Sequence, residues 1–216
     1  MRLKICGITN IPQALEIVAL GIDTIGFICV SQSPRYISPE KIKSIIEKLP
    51  KFTSTIGVFV NEDWQNIVKI VNQTGLTGVQ LHGDENGDYC RQLRDALPEI
   101  EIIKAFRYQN SQSLSSLDTY LPVIDTILLD AYQANVYGGT GKQLNWEDLK
   151  NFRPDRPWLL AGGLRSDNVL EAMKTVSCNG VDLSSGVEVS PGNKDLTKIK
   201  QLVEVLEQAL PAAVRS

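Results

Sequence analysis

The chain has 216 residues, 43% of them hydrophobic and 22% charged, enough to bury one sizeable core and too few to require two, so a single domain over 1–216 is expected. A net charge of −3 with no Lys/Arg-rich block offers no field for a phosphate backbone, which argues against nucleic-acid binding. Cys6, Cys29, Cys90 and Cys178 form no CxxC pair and His82 is the single histidine, so neither a metal site nor a disulfide framework is expected.

No uninterrupted apolar run approaches the roughly 20 residues of a membrane span, and the N-terminus enters a strand without signal-peptide architecture, so no membrane contact is expected. Reduced thiols and a cytoplasmic location follow from the cysteine usage.

Strand-like and helix-like patterns alternate along the chain. Arg2 to Cys6 reads as a strand, and Asn10 caps a helix that tolerates Pro12 in its first turn and closes at Gly21. Asp23 to Cys29 is a second strand, followed by the polar loop Ser31 to Tyr36 and a helix opened by Ser38-Pro39. Ser54 to Val60 is a third, with Asn61 as the cap of a helix whose buried stripe is Ile67, Val68 and Val71. Gly78 to Leu81 is a short fourth strand before His82-Gly83-Asp84-Glu85, and its helix ends near Pro98. Glu101 to Phe106 is the fifth, followed by a serine-rich helix over about Ser111 to Leu121. Thr126 to Asp130 is the sixth, and the longest loop, Ala131 to Leu144, comes next. Trp158 to Ala161 and Val181 to Leu183 complete the strands, the helix between them being capped by Ser166, and Leu196 to Leu210 is a closing amphipathic helix. About eight βα units of roughly 27 residues each fit a single-domain α/β fold, the (β/α)8 TIM barrel. A doubly wound open sheet of this size usually has fewer strands and is the weaker fit.

In such a fold the chemistry sits on the loops that follow the strands. Three of these are rich in glycine: Gly138-Gly139-Thr140-Gly141-Lys142, Gly162-Gly163 and Ser184-Ser185-Gly186. Glycines admit close backbone approach, and successive amides form an anion socket, so Gly139, Gly141, Gly162, Gly163, Ser185 and Gly186 are expected to bind a phosphate. Tight turns alone are the plainer reading. A nucleotide P-loop is excluded, because Gln143 stands where Ser or Thr should hold magnesium.

Two strand-end residues are suited to proton transfer, Cys6 and Asp130. A thiol with a pKa of about 8.5 is only slightly ionised at neutral pH, and bringing it near neutrality takes roughly 2 kcal/mol of preferential thiolate stabilisation. A helix N-terminus and a nearby cation can supply that; burial as a small hydrophobe is the other reading of Cys6. Asp130 ends the apolar run Ile127-Leu128-Leu129, where a carboxylate is costly unless hydrogen-bonded or functional. Lys4 lies on the same side of its strand as Cys6. It can pair with Asp182 across the barrel seam or serve as the nucleophile of a Schiff-base lyase.

Lys4-Ile5-Cys6-Gly7-Ile8-Thr9, Ser33-Pro34-Arg35-Tyr36, Gly57-Val58-Phe59-Val60-Asn61, Gln80-Leu81-His82-Gly83, Gly138-Gly139-Thr140-Gly141, Ala161-Gly162-Gly163-Leu164 and Asp182-Leu183-Ser184-Ser185-Gly186-Val187-Glu188 occur in this order. Together they resemble the phosphoribosylanthranilate isomerase family of tryptophan biosynthesis. The resemblance implies a phosphosugar substrate, N-(5-phosphoribosyl)anthranilate, and its conversion to 1-(2-carboxyphenylamino)-1-deoxyribulose 5-phosphate. It further implies Asp130 as general acid on the ring oxygen and Cys6 as general base at C2′. The iminium formed on ring opening is the electron sink, so no metal or organic cofactor is called for. Arg35 would bind the anthranilate carboxylate, for which its planar fork is well shaped. His82 would line the substrate pocket or shape its rim. A lyase acting through Lys4 and a non-catalytic phosphosugar-binding barrel are the alternatives. A monomer is expected; a homodimer stays open, since a hydrophobic stripe on an outer helix can face a partner or its own barrel.

Overall fold

In the computed structural model, which describes residues 1–131 and 145–209, eight parallel strands close into a barrel in sequential order. They are β1 (Arg2–Cys6), β2 (Thr24–Ile28), β3 (Ser54–Phe59), β4 (Gly78–Leu81), β5 (Glu101–Tyr108), β6 (Thr126–Ala131), β7 (Trp158–Leu160) and β8 (Gly180–Leu183). The register of Lys4 opposite Asp182 joins β1 to β8 and seals the ring. This is a (β/α)8 TIM barrel, and each strand end falls within two residues of its sequence expectation. Strands flanked on both faces by packed side chains read as near-continuous apolar runs, which is why they were legible.

Inside the barrel Ile56, Ile103, Ala105, Leu128, Leu159 and Ala161 form a compact apolar plug. A larger shell of buried residues lies between the strands and the outer helices. It is built by the apolar stripes of α1 (Ile11–Ala19), α2 (Pro39–Ile46), α3 (Trp64–Thr74), α4 (Gly87–Ala96), α5 (Val169–Thr175) and α6 (Leu196–Ala209). Asn10 caps α1 by accepting from the Gln13 amide at 3.0 Å, as its sequence position suggests.

Three local expectations are corrected, and one hairpin is new. The serine-rich stretch after β5 forms two short 3-10 turns, Ser111–Leu114 and Leu117–Thr119, rather than a helix over 111–121. Asn110 and Ser113 bond reciprocally to nearby backbone there, the competition that weakens serine in helix interiors. Asp63, not Asn61, caps α3; Asn61 sits instead at a left-handed φ of 49° and accepts from the Asp84 amide at 2.7 Å. The helix after β7 starts at Val169 with Asn168 before it, and Ser166 is not its cap. After β8 a 3-10 turn (Ser185–Val187) leads into an unforeseen hairpin, β9 (Glu188–Ser190) and β10 (Asn193–Lys194), which turns at Pro191-Gly192 with Gly192 at φ +79°. Outside the described residues lie most of the loop after β6, with the expected phosphate-binding Gly139 and Gly141, and Leu210, the last residue of the predicted closing helix.

Candidate active site

The C-terminal ends of the strands gather the ionisable side chains singled out from the sequence. Cys6 closes β1 and is 5% exposed; Asp130, next to last in β6, is 7% exposed. Asp182 stands between them on β8 and feels both, since Asp130 adds to the rise of its carboxyl and Asp182 adds to the rise of the Cys6 thiol. The acid and base candidates therefore face one barrel mouth.

Lys4 lies beneath Cys6 and is fully buried, its Nζ 2.9 Å from Asp182 Oδ2. Burial pulls this ammonium down, but Asp182, joined by Cys6, outweighs burial and holds it above the ordinary lysine range. A permanently protonated amine is a poor Schiff-base nucleophile, so the seam pair is the role its geometry favours. A Cβ on Gly26 of β2 would come within 2.8 Å of Cys6 Sγ and 3.1 Å of Lys4 Nζ. Only a residue without a side chain leaves room for both.

The thiol is not lowered in the free protein. Burial pushes Cys6 up; Lys4 opposes this, Asp182 reinforces it, and Lys194 opposes it again. The helix N-terminus that could have helped is out of place, because α1 begins only at Ile11. The intervening amides of Gly7 and Ile8 both donate to the Gly26 carbonyl, at 2.9 and 3.0 Å. Two cations are poised beside the sulfur, but desolvation wins.

Around Asp130 the order is tighter. Its Oδ1 accepts from the Ala131 amide at 2.8 Å, while Oδ2 lies 3.2 Å from His82 Nε2, off the hydrogen-bond direction. The Gln80 amide nitrogen is 2.8 Å from His82 Nδ1. With that amide donating, Nδ1 accepts and Nε2 carries the proton facing Asp130. His82 is thus held by Gln80 and set beside the carboxylate without a hydrogen bond to it.

Gly162 and Gly163 follow β7 at φ +84° and +63°, a backbone path closed to most side chains, and a Gly162 Cβ would meet Asp130 Oδ1 at 3.0 Å. Ser185 and Gly186 form the 3-10 turn after β8, and a Gly186 Cβ would fall 1.9 Å from the Leu164 carbonyl. The two loops are thereby packed against each other beside the carboxylate, where barrels commonly hold phosphate.

Arg35 comes from the loop between β2 and α2, and its guanidinium is gripped by Glu188, NH2 lying 2.8 Å from Oε2. Lys194 Nζ binds the same carboxylate at 2.8 Å. In the sequence Glu188 is only the last residue of the motif that begins at Asp182, with no partner assigned, and Lys194 does not stand out, because both belong to the hairpin, whose strands are too short to register. A second buried pair also escaped notice: Lys104 Nζ lies 2.8 Å from Glu85 Oε2 and also donates to the Gly83 carbonyl at 2.8 Å, locking the rim after β4. Among the described residues there is no His/Cys/Asp/Glu group arranged to hold a metal ion and no helix long and apolar enough to cross a membrane.

Comparison with known proteins gives one consistent result. The family model for N-(5'phosphoribosyl)anthranilate (PRA) isomerase matches residues 3–205. A curated N-(5'-phosphoribosyl)anthranilate isomerase from Gloeothece citriformis is 52% identical over 208 residues, covering 96% of this chain and 94% of its own. The crystal structure of phosphoribosyl anthranilate isomerase from Thermotoga maritima superposes with a TM-score of 0.87 at 37% identity, covering 96% of this chain and 99% of that one. Another similar structure, with a TM-score of 0.84 at 37% identity over 96% of this chain and 99% of its own, is of that enzyme type in complex with reduced 1-(o-carboxyphenylamino)-1-deoxyribulose 5-phosphate.

Proposed function

The chain belongs to the N-(5'-phosphoribosyl)anthranilate isomerase family and is an enzyme of that type, and we propose that it opens the sugar with Asp130 as general acid and deprotonates C2′ with Cys6 as general base. The observation that carries this reading is the placement of the two groups. Each is buried at the end of its strand, and both lie within electrostatic reach of Asp182 at one mouth of the barrel.

In the first step Asp130 gives its proton to the furanose oxygen as the C1′–O bond breaks, and the anilino nitrogen lone pair forms the C1′ iminium. His82, with its Nε2 proton facing Asp130, steadies the carboxylate left behind. Cys6 then removes the C2′ proton; the electrons of that bond flow into the iminium and yield an enolamine. Tautomerisation gives the C2′ ketone. A raised thiol is compatible with this sequence, because the iminium brings a further positive charge to the sulfur when the proton must leave. Lys4 and Lys194 are already in place, so the thiolate is favoured in the complex rather than in the free protein.

The loops of Gly162-Gly163 and Ser185-Gly186 would hold the phosphate, with Gly139 and Gly141 of the preceding loop as further contacts. Arg35 would receive the anthranilate carboxylate. A similar enzyme in complex with a reduced phosphosugar product analogue supports a phosphosugar as the ligand class.

Turnover of phosphoribosylanthranilate, followed by loss of anthranilate-type fluorescence, tests the roles. Cys6→Ser and Asp130→Asn should each lower kcat by about 10²–10⁴-fold. Undiminished turnover in either variant would remove that residue from the chemistry, and no turnover in the native chain would reject the reading as a whole.

A further inference from the structure

Glu188 has no part in the proton transfers, yet among the described residues it is the most densely bonded carboxylate at the barrel mouth. It opens β9 and is 7% exposed. Arg35 Nε donates to Oε1 at 3.0 Å and to Oε2 at 3.1 Å, and Arg35 NH2 donates to Oε2 at 2.8 Å. Lys194 Nζ donates to Oε1 at 2.8 Å and the Gly192 amide does so at 3.1 Å. These bonds, with Lys194 against them, hold the carboxyl below its ordinary range although burial alone would raise it.

Two features of this cluster point to an anion. The first is geometric: Glu188 takes the Nε side of the guanidinium. The remaining end of the fork, with NH1, has no partner among the described residues. That end is a second edge on which a carboxylate can be received with two parallel bonds. The second is charge. One buried carboxylate faces two cations, so the trio keeps one uncompensated positive charge. Burial pushes the Lys194 ammonium down, and the pull of Glu188 offsets this only in part.

The cluster is also fixed relative to the thiol. A Cβ on Gly7, the residue after Cys6, would meet Arg35 Cδ at 2.9 Å, Ser184 Oγ at 3.3 Å and Lys194 Nζ at 3.4 Å. Ser184 Oγ in turn donates to the Cys6 carbonyl at 3.0 Å. Arg35 comes from a loop, where an unsupported long side chain would sample many rotamers; here its stem lies over the end of β1 and its head is clamped from one side.

The geometry points to Glu188 as a positioning residue: with Lys194, it clamps one edge of Arg35 so that the other edge, and the cluster's net positive charge, receive the aromatic carboxylate of the substrate. This rests on the assignment of Arg35 to that carboxylate and adds the residue that makes it selective. Removing Glu188 frees the fork rather than strengthening it, because the added positive charge comes with a lost orientation.

The test is calorimetric binding of two ligands that undergo no turnover. One is reduced 1-(o-carboxyphenylamino)-1-deoxyribulose 5-phosphate, and the other is its counterpart lacking the ring carboxylate. The readout is the ratio of their affinities in the native chain, Arg35→Met, Glu188→Gln and Glu188→Asp. Arg35→Met should bring the ratio close to one. Glu188→Gln should lower it about tenfold through weaker binding of the carboxylated ligand alone, with Glu188→Asp recovering part of the loss. A native ratio in Glu188→Gln beside a collapsed ratio in Arg35→Met overturns the positioning role and leaves Arg35 as the carboxylate site. A native ratio in Arg35→Met overturns both. Should Glu188→Gln bind neither ligand, the ratio in Glu188→Asp decides: an intermediate value supports the role and a native value overturns it.

Discussion

A thiol at the end of a strand can be filler or base, and at Cys6 the surroundings decide. Lys4 sits below the sulfur, held as an ammonium by Asp182, while Lys194 approaches from the hairpin and Cys29 lies on the neighbouring loop. A merely structural cysteine would be cheaper to bury among apolar side chains, since each unmatched charge in a dry interior is costly. The effect of Lys4 on the thiol can be read without substrate. Site-resolved alkylation by mass spectrometry suits this measurement, because burial pushes Cys29 up to about 12 and Cys90 to about 11, out of the working range. In Lys4→Met the pH at which Cys6 half-reacts is expected to move upward from its native position, since the nearest opposing charge is gone. An unchanged midpoint would mean that Lys4 serves only the barrel seam. The shared face of Cys6 and Lys4 was legible from strand alternation, and Asp130 stood out as the carboxylate that ends an apolar run. The raised thiol was not legible, since the balance of burial against two cations depends on Gly26, β10 and the start of α1, which no local pattern reports.

Among the elements, the β9–β10 hairpin departs furthest from what periodicity reveals. Its strands have three and two residues, too few for an alternation to emerge, yet they bring Glu188 and Lys194 to Arg35, which lies 153 residues from Glu188 along the chain. Partners so far apart leave no local signal. The same holds for Asn61, which looks like a cap from its neighbours but is drawn to the rim by the Asp84 amide and the Glu85 carboxylate. The hairpin has a pH signature. The Glu188 carboxyl is held below its ordinary value of 4.5, so the stability it confers is fully present above that value and drains away as pH falls through the lower folded value. The melting-temperature difference between native and Glu188→Gln proteins is therefore expected to be constant from neutrality down to about pH 5 and to narrow below it. A difference that stays the same down to about pH 3 would show that the bonds to Glu188 contribute nothing linked to its ionisation.

At the scale of the molecule, the closed ring of strands turns short-range signals into a site. Cys6 and Asp130 are 124 residues apart in sequence and share one mouth because β1 pairs with β8 and β6 reaches β8 through β7. The ring itself was foreseeable, since eight alternating units of this length have few other ways to bury their strands. Its sealing pair, Lys4 with Asp182, followed from the same alternation. The measurement that bears most directly on the chemistry compares the pH dependence of kcat/KM and kcat with the alkylation profile of Cys6 in the free protein. If Cys6 takes the C2′ proton, kcat/KM should rise with pH in step with Cys6 alkylation, at a midpoint above the ordinary thiol range, because burial raises the free thiol. The kcat profile should rise at lower pH, because the iminium adds its charge only in the complex. A kcat/KM that stays flat across the pH at which Cys6 ionises would contradict the role of Cys6 as base.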